Sequence, residues 1–435
     1  MSASTRTTGG DSISSTHDTT TAAAIDHETG GNRPAVAPFI IVSAVYVLIT
    51  ASYGLFGAVK DIMAPDIGIS MSALLNLEMT AGFISAFSVI PAGLLISRFS
   101  PGRLAWLSTL VFCVGLGMMV FSVNMTFFSV SRVIIAVGGA IAIPLLGQVG
   151  RDTFSTRTFV MATAMVFVVG RVVQSISLTV GGLIHESVGW RVLYGVIAAM
   201  LVPLVVLAWV WVKPVRTEAS RSMRSTLSMT GRLLKSPLVW LCGVATGLTL
   251  STSSSFGFIW NINLQTALGW ENLPANMLVM VFVVGLIVGG YLASWLSGRF
   301  NPMAIIFIGL SLGTVMFALI LFVTPFRGQL WYAIICLFTL GSSFGTATLI
   351  MPYVAGFFAA ETSAMFFGVV TSVRGVVRSL LIGAPLWHLS KDQDWTAPHV
   401  LIALIPYLGS FVVGIMMLVV IAILVAHHRP RESSG

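Results

Sequence analysis

The chain has 435 residues, 56% of them hydrophobic and 9% charged, with a mean hydropathy of +0.95. A soluble domain carries roughly 25% charged residues, so this composition excludes one and indicates a chain that crosses a membrane many times. The net charge of +8 does not point to nucleic acid, because no basic aromatic module accompanies it and most cations fall in short loops between apolar runs.

Residues 1–38 are rich in Ser, Thr, Gly and Asp and hold no apolar h-region, so they read as a disordered tail and not as a signal peptide. Apolar runs of spanning length follow at about 39–59, 72–96, 104–123, 126–149, 158–184 and 192–212, and then at about 237–262, 274–297, 302–324, 330–355, 364–388 and 399–426. These predict an all-α polytopic membrane protein with twelve transmembrane helices, spans 1 to 12, in two six-helix bundles at 39–212 and 237–426. Between the bundles lies the longest internal polar segment, 213–236, with Lys213, Arg216, Arg221, Arg224, Arg232 and Lys235. It reads as a cytoplasmic linker, and 427–435 as a second tail.

Orientation follows from the Lys and Arg bias of short loops. With both termini on one side, that side holds Arg98, Arg103, Arg151, Arg157, the linker cations, Arg299, Arg429 and Arg431; the other holds Lys60, Arg191, Arg327 and Lys391. Both termini are therefore expected in the cytoplasm, and the short loops suit a bacterial inner membrane. Cys113, Cys242 and Cys336 each sit alone in an apolar run and read as small core hydrophobes, without pairing or metal-ligand spacing.

The halves match at a nearly constant offset, as an internal duplication would leave them. Ser52-Tyr53-Gly54 corresponds to Ser255-Phe256-Gly257, Gly93 with Ser97 to Gly290 with Ser294, and Gly170-Arg171-Val172-Val173-Gln174-Ser175 to Arg374-Gly375-Val376-Val377-Arg378-Ser379. No paired carboxylates, His-rich metal spacing or phosphate-binding Gly-rich loop ending in Lys-Ser/Thr is present. The sequence thus points away from an enzyme, predicts no cofactor or metal, and leaves gradients as the energy source for any work.

Two six-helix halves, a basic central linker and glycine-arginine loops after spans 2 and 8 resemble the major facilitator superfamily of secondary transporters, over about residues 39–426. The segment from Gly93 through Arg98 to Arg103 is similar to the superfamily's cytoplasmic gate motif, with Ser97 in place of the usual Asp, and Asp152, beside Arg151 at the end of span 4, is a candidate to supply that acid. Arg132, with Ala136, Gly138 and Gly139, resembles the arginine motif tied to proton coupling, with Ile135 where Gln is usual. Gly181-Gly182 matches only the tail of the antiporter motif, and its Gly-Pro is replaced by Ser177-Leu178, which weighs against a multidrug antiporter. Gly189-Trp190-Arg191 matches a frequent extracytoplasmic signature. The resemblance implies that spans 1, 4, 7 and 10 line a cavity while 2, 5, 8 and 11 join the halves.

Four arginines fall inside predicted spans, Arg132, Arg171, Arg374 and Arg378, against one acid, Glu78. An arginine at mid-membrane costs at least about 2.5–3.5 kcal/mol on insertion scales, and the guanidinium fork matches carboxylate, phosphate or sulfonate oxygens. Arg374 and Arg378 are four apart and share a helix face. The expectation is an anionic substrate clamped by them and, from the other half, by Arg171 with Gln174. The competing structural reading has intramembrane arginines bonding backbone carbonyls or a neighbouring carboxylate, with Arg132 shallow enough to snorkel. Glu78 pairs with span 11 or is a protonatable group. Tyr46 and Tyr53, seven apart, and Trp260 with Asn261 in the polar outer part of span 7, either close on the ligand or pack helices. Gly341, Ser342, Gly345 and Thr346 in span 10 read as close packing, and His388 with Lys391, Asp392 and Asp394 as a solvated loop cluster.

The sequence therefore predicts a monomeric secondary transporter working in the lipid bilayer by alternating access on a small organic anion such as a carboxylate, by proton symport or anion exchange. An efflux carrier for an amphipathic metabolite, drug or siderophore-like compound, and a non-transporting sensor or membrane-assembly scaffold, are the alternatives.

Overall fold

The computed structural model describes residues 36–212, 228, 231–259, 275–323, 329–358, 362–392 and 397–428. The linker cations from Lys213 to Arg224, and Trp260, Asn261 and Asp394, lie outside the described residues, as do the side chains of Arg98, His388, Lys391 and Asp392. Among the described residues there are fourteen helices and no strand: α1 Ala37–Ile67, α2 Met71–Arg98, α3 Pro101–Val120, α4 Met125–Ala140, α5 Ala142–Thr153, α6 Thr156–Val188, α7 Trp190–Trp211, α8 Pro237–Ile259, α9 Ala275–Leu296, α10 Pro302–Phe322, α11 Leu330–Ala347, α12 Ile350–Ala355, α13 Ser363–Asp392 and α14 Ala397–His428. Nine stretches among the described residues are long and apolar enough to cross a membrane, and Pro237–Leu250 and Met280–Leu296 are shorter apolar helices.

Fourteen helices make twelve spans because α4 and α5 together form span 4, and α11 and α12 form span 10. Both breaks have the same cause. Proline lacks the N–H that would bond the carbonyl four residues back, and its ring crowds that carbonyl. Pro144 stands four residues after Ala140, the last residue of α4, and Pro352 four residues after Thr348, which follows α11. Helix starts repeat across the halves as well: Ser100-Pro101 opens α3 and Asn301-Pro302 opens α10, each with proline in the first turn, where no N–H is needed.

Packing repeats too. In the first half α1 packs on α6 and α7, α4 on α2 and α3, and α3 on α7; in the second α8 packs on α13 and α14, α11 on α9 and α10, and α10 on α14. These are the same span pairs in each set of six, so the chain forms two pseudo-symmetric six-helix bundles. The bundles meet through α2 against α13 and α6 against α9, which exchange under the pseudo-twofold. Gly93 and Gly290, matched in the sequence, occupy these two seams: a Cβ on Gly93 would lie 3.2 Å from the Ala364 carbonyl oxygen, and one on Gly290 2.3 Å from the Val168 side chain.

Lipid supplies no hydrophobic drive between apolar helices, so association rests on close backbone approach and interhelical hydrogen bonds. Span 10 behaves as its small residues predict. A Cβ on Gly341 would meet the Phe282 carbonyl oxygen at 2.1 Å, Gly345 abuts the Gly290 backbone, Thr346 lies over Gly309, and Ser342 Oγ donates to the Gly285 carbonyl at 3.0 Å. Apolar side chains on α7, α10 and α14, such as Val196, Val206, Ile308, Val315, Met416 and Ile423, remain exposed and form the lipid-facing surface. The helices with buried polar groups lie inside them.

The tightest contact in the first half is Gly54 of α1, where a Cβ would fall 2.0 Å from the Gln174 carbonyl oxygen of α6, whereas Gly182 has nothing within 4 Å. Overpacking of this kind costs about 1–3 kcal/mol. Gly54→Ala should lower the thermal midpoint of the detergent-purified protein, while Gly182→Ala leaves it unchanged or raises it; differential scanning fluorimetry of the two variants checks this.

Candidate functional site

Three helices bring the sequence-predicted site residues together. Helix α13 uses two flanks for packing. Ser372, Gly375 and Ser379 face α2, where Ser372 Oγ donates to the Ala86 carbonyl, Gly375 rests on Ala86 and Ser379 Oγ lies beside Gly82. Val373 and Val377 face α8, each filling the space over a glycine, Gly243 and Gly247. At 100° per residue, Arg374 and Arg378 fall between these flanks, on the remaining face with Phe367 and Thr371. Helical phase alone therefore directs both guanidiniums away from the packed seams.

Helix α6 approaches that face with Arg171, whose Nη1 donates to Gln174 Oε1 at 3.0 Å. Helix α1 lies along α6 so closely that the Tyr46 ring covers Gly170 and packs, tilted by 55°, with its centroid 5.6 Å from that of Phe167. Arg171 is within electrostatic reach of Arg374, Arg378 and Tyr46, and Arg374 of Tyr46 and Arg378. Arg378 is also within electrostatic reach of Tyr53, whose hydroxyl shares a hydrogen bond with Ser85 of α2 and sits against Gly139 of α4. The structure thus gathers Tyr46, Tyr53, Arg171, Gln174, Arg374 and Arg378. Among the described residues no carboxylate forms an ion pair with Arg374 or Arg378, neither guanidinium has a hydrogen bond, and Arg378 Nε is buried without a partner.

Glu78 and Arg132 differ from expectation. Glu78 does not reach span 11; its Oε2 is ion-paired with Arg132 Nη2 inside the first half, because α2 packs on α4 there. Arg132 does not snorkel. It is buried, 4% exposed, and its guanidinium lies over the Phe56 ring at 5.0 Å, so charge pairing replaces escape to the interface. Thr252, in the polar part of span 7, bonds Ser410 of α14 at 2.8 Å, which is helix packing.

The gate residues lie at the membrane face where α1 begins, the tail face. Gly93 closes the α2–α13 seam there; Arg103 is exposed, and Asp152 is exposed and accepts from Gln148 Nε2 at 2.9 Å. The residue that crosses between halves is the neighbour of Asp152. Arg151 Nη2 donates to the Phe358 carbonyl at 3.2 Å, and its guanidinium lies over the Phe159 ring at 5.4 Å. Phe159 meets Phe367 edge-on at 6.1 Å, and Phe367 and Phe366 continue to Phe358. Sequence reasoning missed Arg151 and the phenylalanines, since nothing local separates them from other loop cations and core rings. On the opposite face Trp190 Nε1 donates to Asp66 at 2.8 Å, Arg191 is ion-paired with Asp66, and Arg191 also donates to the Ser122 carbonyl at 2.9 Å, so the Gly-Trp-Arg signature ties three helix ends together. No group of three or more metal-ligating side chains occurs among the described residues.

Residues 42–382 match the family profile described as Major Facilitator Superfamily. The chain belongs to the Major Facilitator Superfamily. It is therefore a multi-pass membrane protein of a family of transporters, which are not enzymes. It is 21% identical over 272 residues to the Escherichia coli (strain K12) protein AraJ, a match covering 59% of this chain and 64% of AraJ, so under two thirds of that relative's length. Its fold is that of the Escherichia coli fucose:proton symporter FucP (TM-score 0.65, 16% identity, 88% of this chain and 98% of the other) and of the human organic anion transporter MFSD10 (TM-score 0.65, 13% identity, 89% and 100%). Transporters of this superfamily bind small-molecule substrates and work in a lipid bilayer.

Removing one partner of a buried ion pair typically costs about 3–5 kcal/mol, while replacing both by apolar groups is often neutral. Glu78→Gln should strongly destabilise the protein, and Glu78→Leu combined with Arg132→Met should recover most of the loss. A double-mutant cycle in thermal midpoints checks this; losses that simply add in the double variant would show that the two side chains are not coupled.

Proposed function

We propose that the protein moves a small organic anion such as a carboxylate by alternating access, the two bundles rocking about a site between them. Arg374 and Arg378 hold the anion from the second half and Arg171 from the first, with Gln174, Tyr46 and Tyr53 beside them; Trp260 and Asn261 join this set on the sequence pattern alone. The observation that carries the reading is the pair of guanidiniums on α13 without a counter-charge among the described residues, facing a third from α6. Such charge is too expensive in a low-dielectric site unless water or an anionic ligand compensates it.

Anion exchange is favoured over proton symport, because Glu78 is already ion-paired with Arg132. Glu78 and Arg132 then serve the interior of the first half, while Gly93, Arg98, Arg103 and Asp152 belong to the tail-face gate. The lysine and arginine bias supports both termini in the cytoplasm of a bacterial inner-membrane protein, with the bundles bounded at 39–212 and 237–426 and the linker at 213–236. The protein is expected to function as a monomer. The folds of FucP and MFSD10 do not select between substrates, since one is named for fucose with a proton and the other for organic anions.

A ligand at about 100 times its dissociation constant stabilises by roughly 2.7 kcal/mol. In a thermal-shift panel of carboxylates, phosphates, sulfonates, neutral sugars and cationic drugs, only anions should stabilise the wild type, and Arg374→Ala should lose the response. Equal stabilisation of both proteins by neutral or cationic compounds would overturn the arginine clamp.

A further inference from the structure

The two guanidiniums of α13 do not share one environment. Arg374 lies with Tyr46 and Arg171, where α1 and α6 converge around Gly170. Arg378 is one turn further along, beside Tyr53, whose hydroxyl is fixed by Ser85 and Gly139. Each position thus combines a guanidinium with a tyrosine hydroxyl, and Tyr46 and Tyr53 are themselves two turns apart on α1. Residues four apart on a helix have Cβ atoms about 5–6 Å from each other. Glu78 is ion-paired with Arg132, and among the described residues no carboxylate is ion-paired with Arg378.

A ligand with one negative charge would compensate one guanidinium and leave the other without a counter-charge, in a site where Arg378 Nε is buried without a partner among the described residues. We infer that the substrate is a small dianion with two separated anionic groups, one held at Arg374 by Arg374, Arg171 and Tyr46, the other at Arg378 by Arg378 and Tyr53. This rests on the anion reading of the site and sharpens it. The spacing suits two carboxylates joined by a chain of two or three methylene groups. A compact dianion carries the charge but reaches only one of the two positions.

The experiment is a thermal-shift titration of the full-length protein in detergent at low ionic strength, comparing succinate with butyrate, glutarate with valerate, and both dicarboxylates with sulfate. Each dicarboxylate should bind at least about tenfold more tightly than the monocarboxylate of equal length, as one added charge-assisted contact allows, and more tightly than sulfate. Arg378→Gln should lower glutarate affinity far more than valerate affinity. Tyr53→Phe, which removes only a hydroxyl and keeps the ring packing, should narrow the same difference and serves if Arg378→Gln does not fold. Equal binding of mono- and dicarboxylates overturns the dianion inference while the anion reading stands, as does a full dicarboxylate advantage in both variants. Sulfate binding as tightly as glutarate overturns the two-point geometry. If no anion stabilises the wild type, the proposed function falls with it.

Discussion

The constraint behind this structure is the cost of holding guanidinium charge within membrane-spanning helices. Four arginines enter the membrane region, and the fold treats them in two ways. Arg132 is neutralised within its own bundle by Glu78 and covered by Phe56. Arg374 and Arg378 are left without a protein counter-charge among the described residues, on the one face of α13 that neither α2 nor α8 uses. Arg132 thus belongs to the interior of its own bundle, whereas the α13 pair is left for the proposed anion to compensate.

The pseudo-symmetry of the bundles explains how that face is kept free. Spans 5 and 11 descend from equivalent positions, so Arg171 and Arg374 approach from opposite halves, and each of these spans is clamped by its own bundle through glycine contacts at Gly54, Gly243 and Gly247. The seams between bundles are narrow and built on small residues, Gly93 against Ala364 and Gly290 against Val168. Close seams built on glycine suit the rocking motion proposed for the bundles.

At the tail face the seam changes character. Arg151 reaches from α5 to the Phe358 carbonyl of the other half, while Phe159, Phe367, Phe366 and Phe358 form a continuous aromatic contact beneath the arginine face. Phe159, Phe366 and Phe367 are fully buried. Two cross-half hydrogen bonds lie beside this layer, from Arg151 to the Phe358 carbonyl and from Ser363 Oγ to the Gly147 carbonyl. The gate motif read from the sequence around Gly93 borders this layer, yet Asp152 turns to Gln148 on its own helix.

Most of the architecture was legible in the chain itself. Twelve apolar runs, their division by a basic linker and the matched Gly93/Gly290 and Arg171/Arg374 segments required no coordinates, because hydropathy and repeat spacing are local properties. Two further repeated signals, Ser100-Pro101 with Asn301-Pro302 and Pro144 with Pro352, were present and went unread; they place helix starts and breaks by the loss of one N–H. Helical phase likewise put Arg374 and Arg378 on one face. The tertiary structure alone decided partners. Whether Glu78 met span 4 or span 11, whether Arg132 was buried or snorkelled, and whether Arg151 or Asp152 crossed the seam all depend on distances between helices remote in sequence. Opposite charges and aromatic rings choose among many candidates of the same kind, and that choice is made by packing, which a one-dimensional pattern does not contain.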